Sequence, residues 1–174
     1  MTTTDNRNVI DYFKYWKTEA IKAYLDENRN NFSVLVTNQI SDFNIGTVIR
    51  NCNAFLAQSV LIYGKRQYDR RGAVGTHLYE NIHFLKHIEE FAVPDDAIVV
   101  AIENTPDAVA IDTFEWPKDK HVIMIFGQEH EGVPPELLAL ANHTVYIRQF
   151  GSVRSLNVGT ASGIAMYDYC MKTC

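Results

Sequence analysis

The feature that most limits the fold is a series of short apolar runs separated by longer polar stretches. Residues 32–36, 59–63, 97–102, 121–126 and 144–147 are rich in Val, Ile, Leu and Phe, and Gly, Asn or Asp stand at several of their borders. Runs of this length are strand-sized, and they are apolar almost throughout rather than on alternate residues, so both faces of the sheet must be covered. Helical spacing follows the first run, with Ile45, Val48, Ile49, Cys52, Phe55 and Leu56 on one side, and Pro134-Pro135 opens a second helix over 136–141. Strands alternating with helices predict an α/β fold: a mostly parallel sheet with helices on both faces. Such a sheet carries its ligand site beyond the carboxyl ends of its strands.

The remaining segments fill in around this frame. Residues 8–25 place Ile10, Phe13, Trp16, Ala20, Ile21 and Tyr24 at helical spacing, which predicts one amphipathic helix, followed by a polar loop over 26–31. A loop is expected over 64–77, a short strand at 82–84, a short helix at 87–91 and irregular chain over 103–117. At 174 residues and 47% apolar content the chain is expected to form one domain, with 1–31 as an N-terminal helical extension. No apolar run reaches membrane-spanning length, and the first residues lack the basic-then-apolar pattern of a secretory signal. Cys52, Cys170 and Cys174 show no metal or redox spacing, so reduced thiols in a cytoplasmic protein are expected.

Three polar, glycine-bearing segments fall just after strands and are expected to meet at one rim: 44–46, 127–132 and 151–157. The last lies in a stretch that begins at Arg148 and passes into small residues, which let another backbone approach closely. Net charge is −5, yet Lys65, Arg66, Arg70 and Arg71 share one short segment, and Arg148 and Arg154 flank another. A local basic face on an acidic protein can bind phosphates, although a solvated surface has the same composition. The six histidines form no metal set, and neither a dinucleotide fingerprint, a phosphate-loop lysine motif nor a nucleophile elbow is present.

Taken together, Asn44-x-Gly46-x-x-x-Arg50, Phe126-Gly127-x-Glu129-x-x-Gly132-Val133-Pro134 and Arg154-Ser155-Leu156-Asn157-Val158 resemble, in order and position, the three motifs of the SpoU (TrmH) methyltransferases of the SPOUT superfamily. The resemblance covers 32–169. Two departures stand beside it. Family members often carry a proline shortly before the first Asn, where this chain has Ser41-Asp42-Phe43, and Phe-Gly after that helix, where Phe55 is followed by Leu56. No separate RNA-binding domain of the kind that larger relatives carry is expected within these residues. The segment from Arg70 through His77 and Tyr79 also has a weaker likeness to compact members that methylate an anticodon-loop ribose.

The resemblance implies transfer of a methyl group from S-adenosylmethionine to a ribose 2′-hydroxyl of tRNA or rRNA, by a homodimer with a deep trefoil knot at its C-terminus. It implies a cofactor pocket formed by Ile102, Gly127, Ile147, Ser155 and Leu156, with Ile147 and Leu156 on either side of the adenine. It implies a catalytic group of Arg50, Asn44, Glu129, Ser155 and Asn157, and an RNA surface of Lys65, Arg66, Arg70, Arg71, Arg148 and Arg154. Two other functions fit the same residues: a non-catalytic knotted protein that binds RNA or senses the cofactor, and a relative that methylates a base nitrogen or a protein side chain.

Overall fold

The computed structural model describes residues 4–39, 43–128 and 131–174. Seven strands run through the described residues: β1 (Phe32–Asn38), β2 (Val60–Gly64), β3 (Ile82–Leu85), β4 (Ala97–Ile102), β5 (Val109–Ala110), β6 (His121–Phe126) and β7 (His143–Tyr146). They form one sheet in the order β3-β2-β1-β6-β4-β7-β5, and every neighbouring pair is parallel. Among the described residues four α-helices accompany it: α1 (Thr18–Asp26), α2 (Phe43–Ala54), α3 (Pro135–Leu138) and α4 (Val158–Thr173). No helix among the described residues is long and apolar enough to cross a membrane.

Side chains on successive strand residues point to opposite faces, and the core divides accordingly. Phe32, Val34 and Val36 of β1, with Val122, Met124 and Phe126 of β6, pack against Ile45, Val48, Ile49 and Cys52 of α2 and Ala165, Met166 and Tyr169 of α4. Leu35, Ile123, Ile125 and Val99 face the other way, onto Leu137 of α3 and onto Leu85, Phe91 and Val133. Both faces are covered as expected, but the second is closed by a single-turn helix and loops rather than by long helices. Phe55 and Leu56 lie just past the end of α2, not on it, and Leu56 turns at a φ of 54°.

The single helix expected over 8–25 is not formed. A 3-10 turn at Asp11–Phe13 is separated from α1 by Tyr15, whose φ is 65°. The cause lies outside the periodic window. The Asp5 carboxylate accepts the Tyr15 N–H at 2.7 Å, and Arg7 forks onto Asp5 while donating to the Trp16 carbonyl at 2.8 Å. Those side chains take backbone groups that a continuous helix would use. The helical spacing still served a purpose, because Tyr12, Phe13, Trp16 and Tyr24 pack together as tilted and edge-on rings. The irregular region after β4 holds the two-residue strand β5 and a 3-10 turn at Ile111–Thr113.

At the amino ends of β1 and β6, the His121 ring lies 3.0 Å from Asn31 Oδ1 through Nδ1 and 2.9 Å from Ser33 Oγ through Nε2. The amide oxygen can only accept, so Nδ1–H donates and Ser33 donates to Nε2. Burial holds the His121 pKa below its ordinary value of 6.5. A depressed folded-state pKa contributes stability that is present above the unfolded value and lost as pH falls through the folded one. Thermal midpoints should therefore fall on acidification from about pH 6.5, and that slope should be shallower in His121→Gln, as measured by melts across pH.

Candidate active site

The carboxyl ends of three adjacent strands, β6, β4 and β7, open into a cavity of about 460 Å³. Its apolar wall includes Ile102 and Phe126 from two strand ends, Ile147 just past β7, and Leu156 before α4. The loop after β6 forms another side. A Cβ on Gly127 would lie 2.0 Å from the carbonyl carbon of Gly132, so the chain folds back on itself closely there. Gln128 and Gly132 form an antiparallel bridge, the Gly132 N–H donates to the Gln128 carbonyl at 2.9 Å, and Gly132 holds a φ of 69° that favours glycine. Glu103, the first residue beyond β4, accepts the Val133 N–H at 2.8 Å and so fixes the far end of this loop.

Two helices support the opposite side. Asn157 caps α4, its side chain accepting the Thr160 N–H at 3.3 Å, and its Nδ2 donates to Asn44 Oδ1 at 2.9 Å. The small residues of α4 bring it against α2: a Cβ on Gly159 would lie 2.8 Å from Thr47 Cγ2. Asn51 Nδ2 donates to the Gly159 carbonyl at 2.7 Å and to Ser162 Oγ at 2.9 Å. The basic segment is docked on the same helix. Side chains on Gly46 or Gly72 would collide with backbone of the other segment at 2.7 Å, and Asn38 donates to the carbonyls of Lys65 and Gln67.

The five residues expected to hold a cofactor, Ile102, Gly127, Ile147, Ser155 and Leu156, all line this cavity. Among the described residues of the catalytic group, Ser155 is the one found there. Asn44 and Asn157 stand outside the cavity wall, bonded to each other, so the segment 44–46 adjoins the rim without lining it. Arg50 is exposed on α2, also outside the wall. Glu129 lies outside the described residues. Of the basic residues, Arg154 lines the cavity and Arg66 sits over the Phe84 ring, 5.0 Å from its centre. Lys65 and Arg70 are exposed. Arg71 pairs with Asp69, holding that carboxyl below its usual range, and Arg148 pairs with Asp112 at 2.9 Å.

Glu103 and Gln149, outside the expected segments, also line the cavity, as does Gln128 within one of them. Glu103 had a signal, since it is the first polar residue after an apolar run. Gln149 had none, because its neighbourhood depends on how the loop 148–155 folds.

The chain is 21% identical over 170 residues to a tRNA (guanosine(18)-2′-O)-methyltransferase of Aquifex aeolicus, a match that spans 92% of this chain and 79% of the other. Its fold is similar to the crystal structure of the A. aeolicus TrmH/SpoU tRNA modifying enzyme, with a TM-score of 0.74, 22% identity, and coverage of 89% of this chain and 83% of that one. It is also similar to the SpoU methyltransferase AviRb from Streptomyces viridochromogenes in complex with AdoMet, with a TM-score of 0.68 and 22% identity over 80% of this chain and 60% of that one. The SpoU rRNA Methylase family itself matches residues 11–167, which take in all three motif segments and the whole sheet. With that match laid over a parallel sheet whose strand ends enclose the expected pocket residues, the chain belongs to the SpoU rRNA Methylase family.

Proposed function

We propose that this chain is an S-adenosylmethionine-dependent methyltransferase acting on a ribose 2′-hydroxyl of tRNA or rRNA. The observation that carries the reading is the meeting of Ile102, Gly127, Ile147, Ser155 and Leu156 around one cavity in a chain of the SpoU family. The residues fit such a donor. Ile102, Ile147 and Leu156 offer apolar surface to a flat ring, and Glu103 and Ser155 offer polar atoms to its charged and hydroxylated parts. When bound, the cofactor supplies an activated methyl group on a sulfonium.

The protein's part is to align the ribose oxygen and accommodate the charge that develops on it. An arginine stays protonated, so Arg50 is read as a stabiliser of oxyanion or phosphate charge rather than as a base. Asn157 holds the first turn of α4 and is itself held by Asn44, and Glu129 is assigned the orienting of Arg50. Because Arg50 lies outside the cavity of its own chain, we read the site as completed by a second copy. Support comes from α4, where Ile164, Tyr167 and Met171 form one exposed apolar stripe, 37%, 56% and 62% accessible. The same reading takes the chain as one catalytic unit with 1–31 as an N-terminal extension, a knotted C-terminal segment, and free thiols suited to the cytoplasm.

Incubating the protein with bulk RNA and labelled donor, then digesting to nucleosides, tests the activity. A 2′-O-methylated nucleoside is expected; a methylated base, or no transfer at all, would reject the proposal. Arg50→Lys keeps the charge and loses the planar fork, and should lower kcat about tenfold. Near-normal turnover would rule out the fork. RNA affinity should fall steeply with salt. The slope of log K against log salt should drop by about one in Arg70→Ala and likewise in Arg154→Ala, since each removes a single phosphate-binding side chain. Unchanged slopes would make the basic face mere solvated surface.

A further inference from the structure

Among the charged residues that line the cavity, Glu131 and Arg154 are exposed, while Glu103 is half-buried and held in place. Its Oε2 accepts the Val133 N–H at 2.8 Å and its Oε1 accepts the Asn104 N–H at 2.9 Å. The side chain also lies against Gly132, where an added Cβ would come within 2.5 Å of Oε2. A carboxylate has about four acceptor positions, so two backbone bonds fix its orientation and leave others for the cavity. A fixed negative charge at a partly desolvated wall acts on a nearby cation far more strongly than it would in water.

On the cofactor reading above, we infer that Glu103 is a specificity-determining residue that favours the cationic sulfonium donor over the neutral thioether product. The two ligands share adenine, sugar and amino-acid groups and differ in one methyl group and one positive charge. When the methyl group leaves for the ribose oxygen, the C–S electron pair stays on sulfur, the positive charge is lost, and the hydroxyl proton passes to solvent. The attraction to Glu103 then disappears, which speeds exchange of spent product for fresh donor. Glu103 thereby has two tasks: it positions the loop after β6 through Val133, and it selects by charge.

Calorimetric titration of the full chain with S-adenosylmethionine and with S-adenosylhomocysteine separates these tasks, because loop positioning acts on both ligands and charge on one. In Glu103→Gln the ratio of the donor Kd to the product Kd should rise about 5- to 30-fold over the unaltered protein. Glu103→Asp keeps the charge on a shorter arm, so both affinities should weaken while the ratio stays within about twofold. Equal weakening of both ligands in Glu103→Gln, no change in either, or a ratio in Glu103→Asp that follows Glu103→Gln would overturn the charge assignment. Failure of the unaltered protein to bind either ligand would instead remove the cofactor reading, and this inference with it.

Discussion

Gly127→Ala is expected to weaken S-adenosylmethionine binding at least about 100-fold, the largest effect on function that one added methyl group should have in this chain. The added Cβ would stand 2.0 Å from the Gly132 carbonyl carbon, 2.2 Å from its oxygen and 2.2 Å from the Val133 nitrogen. All three are backbone atoms, so no side-chain rotation relieves the clash and the loop itself must retreat by more than an ångström. That movement breaks the Gln128–Gly132 bridge and pulls Val133 from both Glu103 and the core face that it shares with Leu137. A misplacement of about 1 Å at a binding wall is enough for a hundredfold loss, and forced repacking should also lower stability by about 1–3 kcal/mol. Gly151→Ala provides the control, since nothing lies within 4 Å of its added Cβ; it should bind the donor normally. Titration of both variants decides the matter: a Gly127→Ala protein within about threefold of the unaltered affinity would mean that this loop is not a wall of the site.

The contrast between these two glycines shows what the sequence could and could not reveal. Ala97–Ile102 and His121–Phe126 are strands with the bounds that their apolar runs imply, because a central parallel strand is buried on both faces and announces itself residue by residue. The five residues that the family resemblance put around a cofactor line the cavity: Ile102 and Ile147 end apolar runs, Gly127 follows one, and Ser155 and Leu156 stand in the loop before the last helix. Asn44 and Asn157 are 113 positions apart, so no local pattern could show that their side chains bond to each other rather than facing the cavity. Tyr15 is similar: helical spacing ran straight through it, and the break comes from Asp5, ten residues earlier. Gly127 and Gly151 look alike, each opening a polar, glycine-bearing segment after a strand, and differ in what folds against them.

Glu80→Ala is expected to lower the unfolding free energy by about 3–5 kcal/mol, the largest effect on stability that we expect from a single polar side chain. Glu80 and Arg29 are 0% and 5% exposed, and Arg29 Nη1 reaches both carboxylate oxygens, at 2.9 and 2.8 Å. Asn53 Nδ2 donates to Glu80 at 2.8 Å, while Arg29 also donates to the carbonyls of Tyr79 at 2.7 Å and Ala57 at 3.1 Å. The pair thus joins three segments: the loop after α1, the C-terminal end of α2 at Asn53, and the chain just after the basic turn. Burial pushes the Glu80 carboxyl above its ordinary range despite the opposing pull of Arg29 and Asn53, so desolvation dominates. Removing the carboxylate alone leaves the buried guanidinium with only the half-exposed Asp26, 3.1 Å from its Nη2, as counter-charge, which is why the loss should be large. Removing both charges should not be as harmful: Arg29→Met combined with Glu80→Leu keeps apolar volume and should recover at least about half of the loss. Urea unfolding of Arg29→Met, Glu80→Leu and the double variant gives the coupling directly. Additive losses would show that the two charges do not stabilise one another, and that the hydrogen bonds to Tyr79, Ala57 and Asn53 hold these segments together on their own.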